Sequence, residues 1–125
     1  MESLEFDSGV RAYRVNGGGV LRFHPGDPNL YARLQAAGEK LQQMQREAAG
    51  EDIPTVLREM DEKLKMLLCE VFPGNDIPAL FWGVNLLAPT QSGKTVFENF
   101  MAALEPILAE GAAQCAKSIL GGRDV

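Results

Sequence analysis

The first two dozen residues carry a β pattern. Apolar and polar positions alternate over residues 10–15 and again over residues 20–23, and the segment between them begins Asn16-Gly17. Asn-Gly between two such runs predicts a β-hairpin, which we place over about residues 9–24. A three-residue loop would set Tyr13 opposite Leu21. One apolar face then faces the rest of the protein: Tyr13, Val15, Leu21 and Phe23.

From residue 28 onward, apolar residues recur every three or four positions, which is the spacing of helices that bury one face. The first helix is predicted over residues 28–48, where Asp27 supplies an N-cap carboxylate and Pro28 the first turn. Asp52 caps a second helix over residues 53–71. The apolar stripe of the first helix is Leu30, Leu34, Ala37, Leu41, Met44 and Ala48.

Acidic residues on the second helix precede lysines by four positions. The pairs are Glu59 with Lys63 and Asp61 with Lys65, an arrangement that stabilises an exposed helix face. We therefore interpret Asp61 and Glu62 as part of a solvated face rather than as a catalytic pair of carboxylates.

A short helix is predicted over residues 77–82, capped by Asp76. Its Leu80, Phe81 and Trp82 are expected to wedge between the longer helices. The last helix is predicted over residues 95–120, and Pro106 inside it should kink or split it, because proline lacks an N–H and clashes with the preceding turn. The apolar side of this helix is Phe97, Phe100, Met101, Leu104, Ile107, Leu108, Cys115 and Ile119.

These elements predict a mainly α fold in one domain spanning residues 1–125. An N-terminal β-hairpin would pack on a bundle of three to four helices, with the last helix kinked near Pro106. A chain of 125 residues can bury a sizeable core without metals or disulfides.

Residues Ala88–Thr95 match the loose form of the nucleotide-binding P-loop, ending in Gly-Lys-Thr. In a true P-loop, Lys94 would reach the phosphates and Thr95 would hold Mg²⁺. The first position is Ala88 rather than Gly, and the later residues carry no strand that could deliver a Mg²⁺-binding Asp. Thr95 and Glu98 also form a Thr-x-x-Glu capping box that competes for the same amides. We expect a helix cap here, and nucleotide binding is the disfavoured alternative.

Composition narrows the remaining classes of function. The net charge is −5 with both signs interleaved, so no basic stripe points to nucleic acid. Neither a signal peptide nor a membrane span is evident, and we expect a cytoplasmic protein that does not bind membranes. Cys69 and Cys115 lie on apolar helical patterns and are expected to be buried thiols. With one histidine, His24, and no ligand spacing, we expect no metal, no cofactor and no catalytic residue.

Several segments between residues 16 and 110 resemble one known family. They are Asn-Gly-Gly-Gly-Val-Leu-Arg-Phe over 16–23, Pro-x-Asp-Pro-Asn-Leu-Tyr-Ala-Arg over 25–33, Met-Asp-Glu-Lys-Leu over 60–64, Glu-Val-Phe-Pro-Gly over 70–74 and Leu-Phe-Trp-Gly-x-Asn over 80–85. In these the chain is similar to small tail assembly chaperones of long-tailed, siphovirus-type bacteriophages and Firmicutes prophages. It departs from the family pattern at His24, where Asn is usual, and at Trp82, which separates Phe81 from Gly83.

The resemblance implies binding without catalysis. Such chaperones bind the long helical tape-measure protein, keep it soluble and help tail-tube subunits polymerise around it. The expected partner is thus a tape-measure protein or another tail protein in the bacterial host cell. A structural or oligomeric adaptor of phage origin is an alternative, because exposed strand edges and heptad-like stripes favour self-association into a homo-oligomer.

Apolar residues of the first and short helices are the candidate partner-binding surface. The sequence leaves open whether these residues form the core or an interface, since both uses produce the same periodicity. The candidates are Leu30, Leu34, Leu41, Met44, Phe81 and Trp82.

Overall fold

The computed structural model describes residues 1–48 and 52–121, the last two by their backbone only. A two-stranded antiparallel hairpin is followed by four helices, which confirms the predicted fold class. The elements are β1 (Arg11–Arg14), β2 (Val20–Phe23), α1 (Pro28–Glu47), α2 (Ile53–Val71), α3 (Ile77–Leu80) and α4 (Val96–Gly121).

The hairpin has the predicted register. Tyr13 lies opposite Leu21, and the Val15 amide donates to the Gly19 carbonyl at 2.8 Å, which closes a three-residue loop. Asn16 and Gly17 have φ angles of 50° and 73°, in the left-handed region that Asn and Gly tolerate best. The predicted apolar face is confirmed as part of the core or packed against it: Tyr13, Val15, Leu21 and Phe23.

Asn75 joins the hairpin to the turn between α2 and α3. Its Oδ1 accepts from the Arg22 amide at 2.8 Å, and its Nδ2 donates to the Arg22 carbonyl at 2.9 Å. The side-chain amide thus pairs with β2 as a neighbouring strand would. The same Nδ2 lies 3.0 Å from the Phe72 carbonyl, so one side chain fixes the turn and the strand together.

Aspartates cap the first three helices as predicted. The Asp27 side chain accepts from the Asn29 amide, that of Asp52 from Thr55, and that of Asp76 from Ala79. Each helix has proline at its first or second position, where the missing N–H costs no hydrogen bond.

The core lies where the hairpin, α2 and α3 meet. Phe23 of β2 packs edge-on against Phe72 at 5.1 Å between ring centroids, and Phe81 does the same with Phe100 of α4. α1 packs closely along α2, whereas α4 lies further from both. The buried residues of this cluster are Leu21, Phe23, Leu30, Leu64, Leu68, Val71, Phe72, Ile77, Leu80, Phe81, Leu86 and Leu104.

Contacts at the Pro25 turn hold α4 in place. Gly111 is buried, and a Cβ at this position would lie 2.1 Å from the Pro25 carbonyl oxygen. The Tyr31 hydroxyl lies within hydrogen-bonding distance of the Pro25 carbonyl, at 2.7 Å, and of the Leu108 carbonyl, at 2.5 Å. Burial, with a smaller contribution from Cys115, raises the pKa of Tyr31. Because Gly111 has no side chain, the backbone of α4 packs directly on the backbone of the Pro25 turn.

α4 continues through Pro106 as one helix, so of the two predicted effects, a kink or a split, the split does not occur. Proline removes a single i to i−4 hydrogen bond, and the helix is continuous on both sides of it. A kink at Pro106 stays a prediction.

The prediction that Trp82 wedges between helices is wrong. α3 ends at Leu80, earlier than predicted, and Trp82 has a φ angle of 56° followed by Gly83 at 73°. This left-handed turn directs the indole outward, where 73% of the residue is exposed. The ring lies over Gly18 of the hairpin loop, 3.2 Å from where a Cβ would stand. Leu80 and Phe81 are buried as expected.

The prediction of two buried thiols is wrong for Cys69, which is exposed, and Cys115 is half-buried. α2 buries Leu67, Leu68 and Val71. Successive helical residues are about 100° apart, so Cys69 falls outside the arc that these three residues define.

Candidate functional site

The segment that imitates a P-loop is closed by its own hydrogen bonds. The Thr90 amide donates to the Lys94 carbonyl and the Gly93 amide to the Thr90 carbonyl, both at 2.9 Å. The Val96 amide donates to the Ala88 carbonyl at 3.0 Å. A phosphate loop instead directs such amides at the ligand.

The predicted capping box at the start of α4 is confirmed. The Glu98 amide donates to the Thr95 hydroxyl, and the Thr95 amide donates to the Glu98 carboxylate, both at 3.1 Å. Hydrogen bonds from the backbone and then the side chain of Thr95 lower the pKa of Glu98, with a smaller contribution from Lys94. The cap leaves neither amide free for a phosphate in this conformation.

Between α1 and α4 runs an apolar depression, which we call the α1–α4 groove. It consists of two adjoining cavities of about 640 and 220 Å³. Phe97 and Met101 line both cavities, and Leu64 and Leu68 of α2 form the floor of the smaller one. The half-buried apolar residues that define the groove are Leu34, Ala37, Leu41, Phe97, Met101 and Leu108.

Charged groups occur at one end of the groove only. Lys94, Glu98 and Glu105 lie at the rim of the larger cavity, and all three are exposed. The smaller cavity is lined by apolar residues and Gly38. The groove can therefore bury apolar side chains of a bound molecule. The charges of both signs at its rim can contact polar side chains of the same molecule.

The structure divides the predicted partner-binding residues into four groups. Leu30 and Phe81 belong to the core, so neither is accessible in this conformation. Leu34 and Leu41 line the groove. The half-buried Met44 lines a separate depression between α1 and α2, beside Met66, and Trp82 is exposed on its turn. The six residues thus do not form one surface, and a binding role for those that are accessible stays a prediction.

The sequence predicted a single buried side on α4, and the structure divides that side between the groove and the hairpin. Phe97, Met101 and Leu108 line the groove, whereas Phe100 and Ile107 face the hairpin. The apolar residues of α4 span about 120° of the helix circumference, which is the ordinary width of one core-facing stripe, so the sequence carried no signal that one edge of it lines a groove.

The interpretation of Asp61 as a solvated residue is wrong. Asp61 accepts from the buried Leu86 amide at 2.8 Å and pairs with Lys65 at 3.0 Å. The two side chains are only 15% and 14% exposed, and Lys65 also donates to the Val84 carbonyl at 3.1 Å. The pair fixes the loop after α3 onto α2. Among the described residues, the predicted pair of Glu59 and Lys63 does not form an ion pair.

Within residues 1–48 and 52–121, no group of three His, Cys, Asp or Glu side chains is placed to hold a metal ion. The His24 Nδ1 accepts from the Gly26 amide at 3.0 Å, so this imidazole serves the Pro25 turn. No helix in the described part of the chain combines the length and apolar character needed to cross a membrane.

Comparisons of the chain with protein families, with curated proteins and with solved structures find no match.

Proposed function

We propose that this protein is a non-enzymatic assembly chaperone that binds an amphipathic helix of a partner protein in the α1–α4 groove. The observation that carries the proposal is the open apolar strip formed by Leu34 and Leu41 of α1 and by Phe97 and Met101 of α4. Together with the resemblance to phage tail assembly chaperones, it favours a tape-measure protein or another tail protein as the partner, in the cytoplasm of the bacterial host.

The dimensions of the groove suit a helix. Leu34 to Leu41 on α1 and Phe97 to Leu108 on α4 each span roughly 10 to 16 Å at a rise of about 1.5 Å per residue. This length accommodates two to three turns, so apolar residues at i, i+3 or i+4, and i+7 of a bound helix could enter it. The residues are half-buried rather than fully packed, which leaves apolar area for a partner to cover.

Co-expression with the longest helix-rich protein encoded among neighbouring tail genes tests the proposal. We expect the chain to raise the soluble fraction of that protein and to co-purify with it. Met101→Glu should abolish both effects, because a bound helix would bury the new carboxylate without a partner. Met66→Glu is the matched control, since Met66 is exposed on α2 and lines neither cavity of the groove.

Circular dichroism of both variants shows whether the fold is retained. Unchanged solubility of the partner with the native chain, or equal capture by a folded Met101→Glu variant and the native chain, would remove the groove from consideration.

A further inference from the structure

The outer edge of β1 is open. The Val15 amide donates to the Gly19 carbonyl, so these two residues form a hydrogen-bonded pair. Since bonded and non-bonded pairs alternate along an antiparallel ladder, the main-chain groups of Ala12 and Arg14 point away from β2. Both residues are exposed, and no other described group bonds to their main chains.

The opposite edge of the hairpin is closed. Arg22 of β2 uses its outward amide and carbonyl to bind the side chain of Asn75. An extended chain that adds to the described sheet therefore has β1 as its available edge.

A second apolar pocket adjoins this edge. It has a volume of about 420 Å³ and lies between the hairpin and the first half of α4, lined in part by Tyr13, Val96 and Ile107. The edge-on pair of Phe81 and Phe100 also lines it. None of its lining residues is acidic.

The two faces of the hairpin differ in chemistry. Tyr13 and Leu21 share one face of the hairpin and line the pocket. Arg14 and Arg22 alternate with them along the strands and are exposed, and Arg14 also lines the pocket. The hairpin, residues 10–23, has three arginines and no acidic residue in a chain of net charge −5. Within the described residues, none of the three arginines forms an ion pair.

We infer that β1 binds an extended segment of a partner protein, as a third strand, whose side chains alternate between apolar and acidic. Successive side chains of a strand point to opposite faces, so the apolar ones enter the pocket and the acidic ones meet Arg14 and Arg22. Leu4-Glu5-Phe6-Asp7 of this chain has the same alternation, but Leu4 and Phe6 are 87% and 76% exposed. That segment does not occupy the edge.

Binding of a fluorescein-labelled synthetic peptide, Val-Glu-Phe-Glu-Val-Glu, to the full chain tests the inference by fluorescence anisotropy. Two further peptides carry N-methyl groups on alternate residues, so that each lacks the amide donors of one edge. We expect one methylated peptide to bind like the parent and the other at least about fivefold more weakly, since its main-chain bonds to β1 are lost. A peptide with Lys in place of Glu should also bind more weakly.

Protein variants test the same contacts from the other side. Ala12→Pro removes an outward amide and leaves the hydrogen bonds between β1 and β2 intact. It should therefore weaken binding of the parent peptide at least about fivefold. Arg14→Ala and Arg22→Ala should each weaken it about twofold to fivefold, less so at high salt. Met101→Glu, on the other face of α4, should leave this binding unchanged even if it abolishes the chaperone activity proposed above.

Several outcomes would overturn the inference. They are no binding of the parent peptide, equal binding of the two methylated peptides, or equal binding of the Glu and Lys peptides. Self-association of the chain that Ala12→Pro abolishes would make a second copy the occupant and would equally refute a separate partner. The methylated peptides decide the question even if Ala12→Pro unfolds, because they leave the protein unaltered.

Discussion

Replacing Gly111 with alanine should destabilise the protein, although alanine is the better helix former. A Cβ at Gly111 would lie 2.1 Å from the Pro25 carbonyl oxygen and 2.9 Å from the Pro25 Cβ. The oxygen would have to retreat by more than about 1 Å to reach ordinary contact, and it belongs to backbone that Tyr31 also holds. Such overpacking costs about 1 to 3 kcal/mol.

The opposing gain can be measured on the same protein. Alanine favours a helix interior over glycine by about 1 kcal/mol, and Gly38 of α1 has nothing within 4 Å of its Cβ position. Gly38→Ala should therefore raise the free energy of unfolding by about 0.5 to 1 kcal/mol. Gly111→Ala has the same gain but also the clash, so we expect a net loss of up to about 2 kcal/mol.

Urea denaturation followed by far-ultraviolet circular dichroism measures both values, since the signal reports on the helices. Opposite signs for the two variants are the expected result. If Gly111→Ala stabilises the protein as much as Gly38→Ala does, α4 does not meet the Pro25 turn at close range, and the placement of the final helix is wrong.

Four further predictions concern other parts of the molecule. Asp61→Ala should lower the free energy of unfolding by about 1 to 3 kcal/mol, because the Leu86 amide loses its acceptor. Glu62→Ala, on the exposed face, should change it by less than about 0.5 kcal/mol. Equal effects of the two variants in a thermal melt would contradict the Asp61 contacts. The pKa of Glu98 is lower in the folded than in the unfolded protein. The stability that its cap contributes is therefore present above the pKa of the unfolded state and is lost as the pH falls through the pKa of the folded state. Glu98→Gln should reduce the loss of stability at acid pH, and an unchanged loss would argue against the cap. In equilibrium dialysis, Mg-ATP should not bind, and retention that Lys94→Ala removes would restore the nucleotide-binding interpretation. Cys69 should react with iodoacetamide faster than Cys115, since it is exposed and Cys115 is half-buried; mass spectrometry of the modified peptides distinguishes the two.

Features that depend on residues close together in the chain were predictable. The caps at Asp27, Asp52 and Asp76 bond to amides two or three residues ahead, and the Thr95–Glu98 cap is equally local. Their geometry follows from the start of a helix itself. The register of the hairpin is local too, because parity and the Asn-Gly loop determine it.

The predictions for Asp61 and Trp82 failed for reasons that the local sequence pattern does not carry. Asp61 has a sequence typical of an exposed ion pair, yet the loop after α3 brings the Leu86 amide to it. Trp82 is a large aromatic residue of the kind expected to be mostly buried, yet a left-handed turn places its side chain on the surface. For Asp61, the contact partner lies far away in the sequence. For Trp82, the backbone takes a left-handed conformation that residues other than glycine rarely adopt.

The sequence by itself determined the elements, their caps and the hairpin register, because each of these is decided by interactions within a few residues. Only the tertiary structure decided how the apolar stripes are shared between core and surface. Leu30 and Leu34 are neighbours on the same stripe of α1, but Leu30 is enclosed by the core while Leu34 lines the α1–α4 groove. Periodicity defines the face of a helix, whereas burial depends on how closely the next element approaches that face, and α4 lies too far from α1 to close the groove.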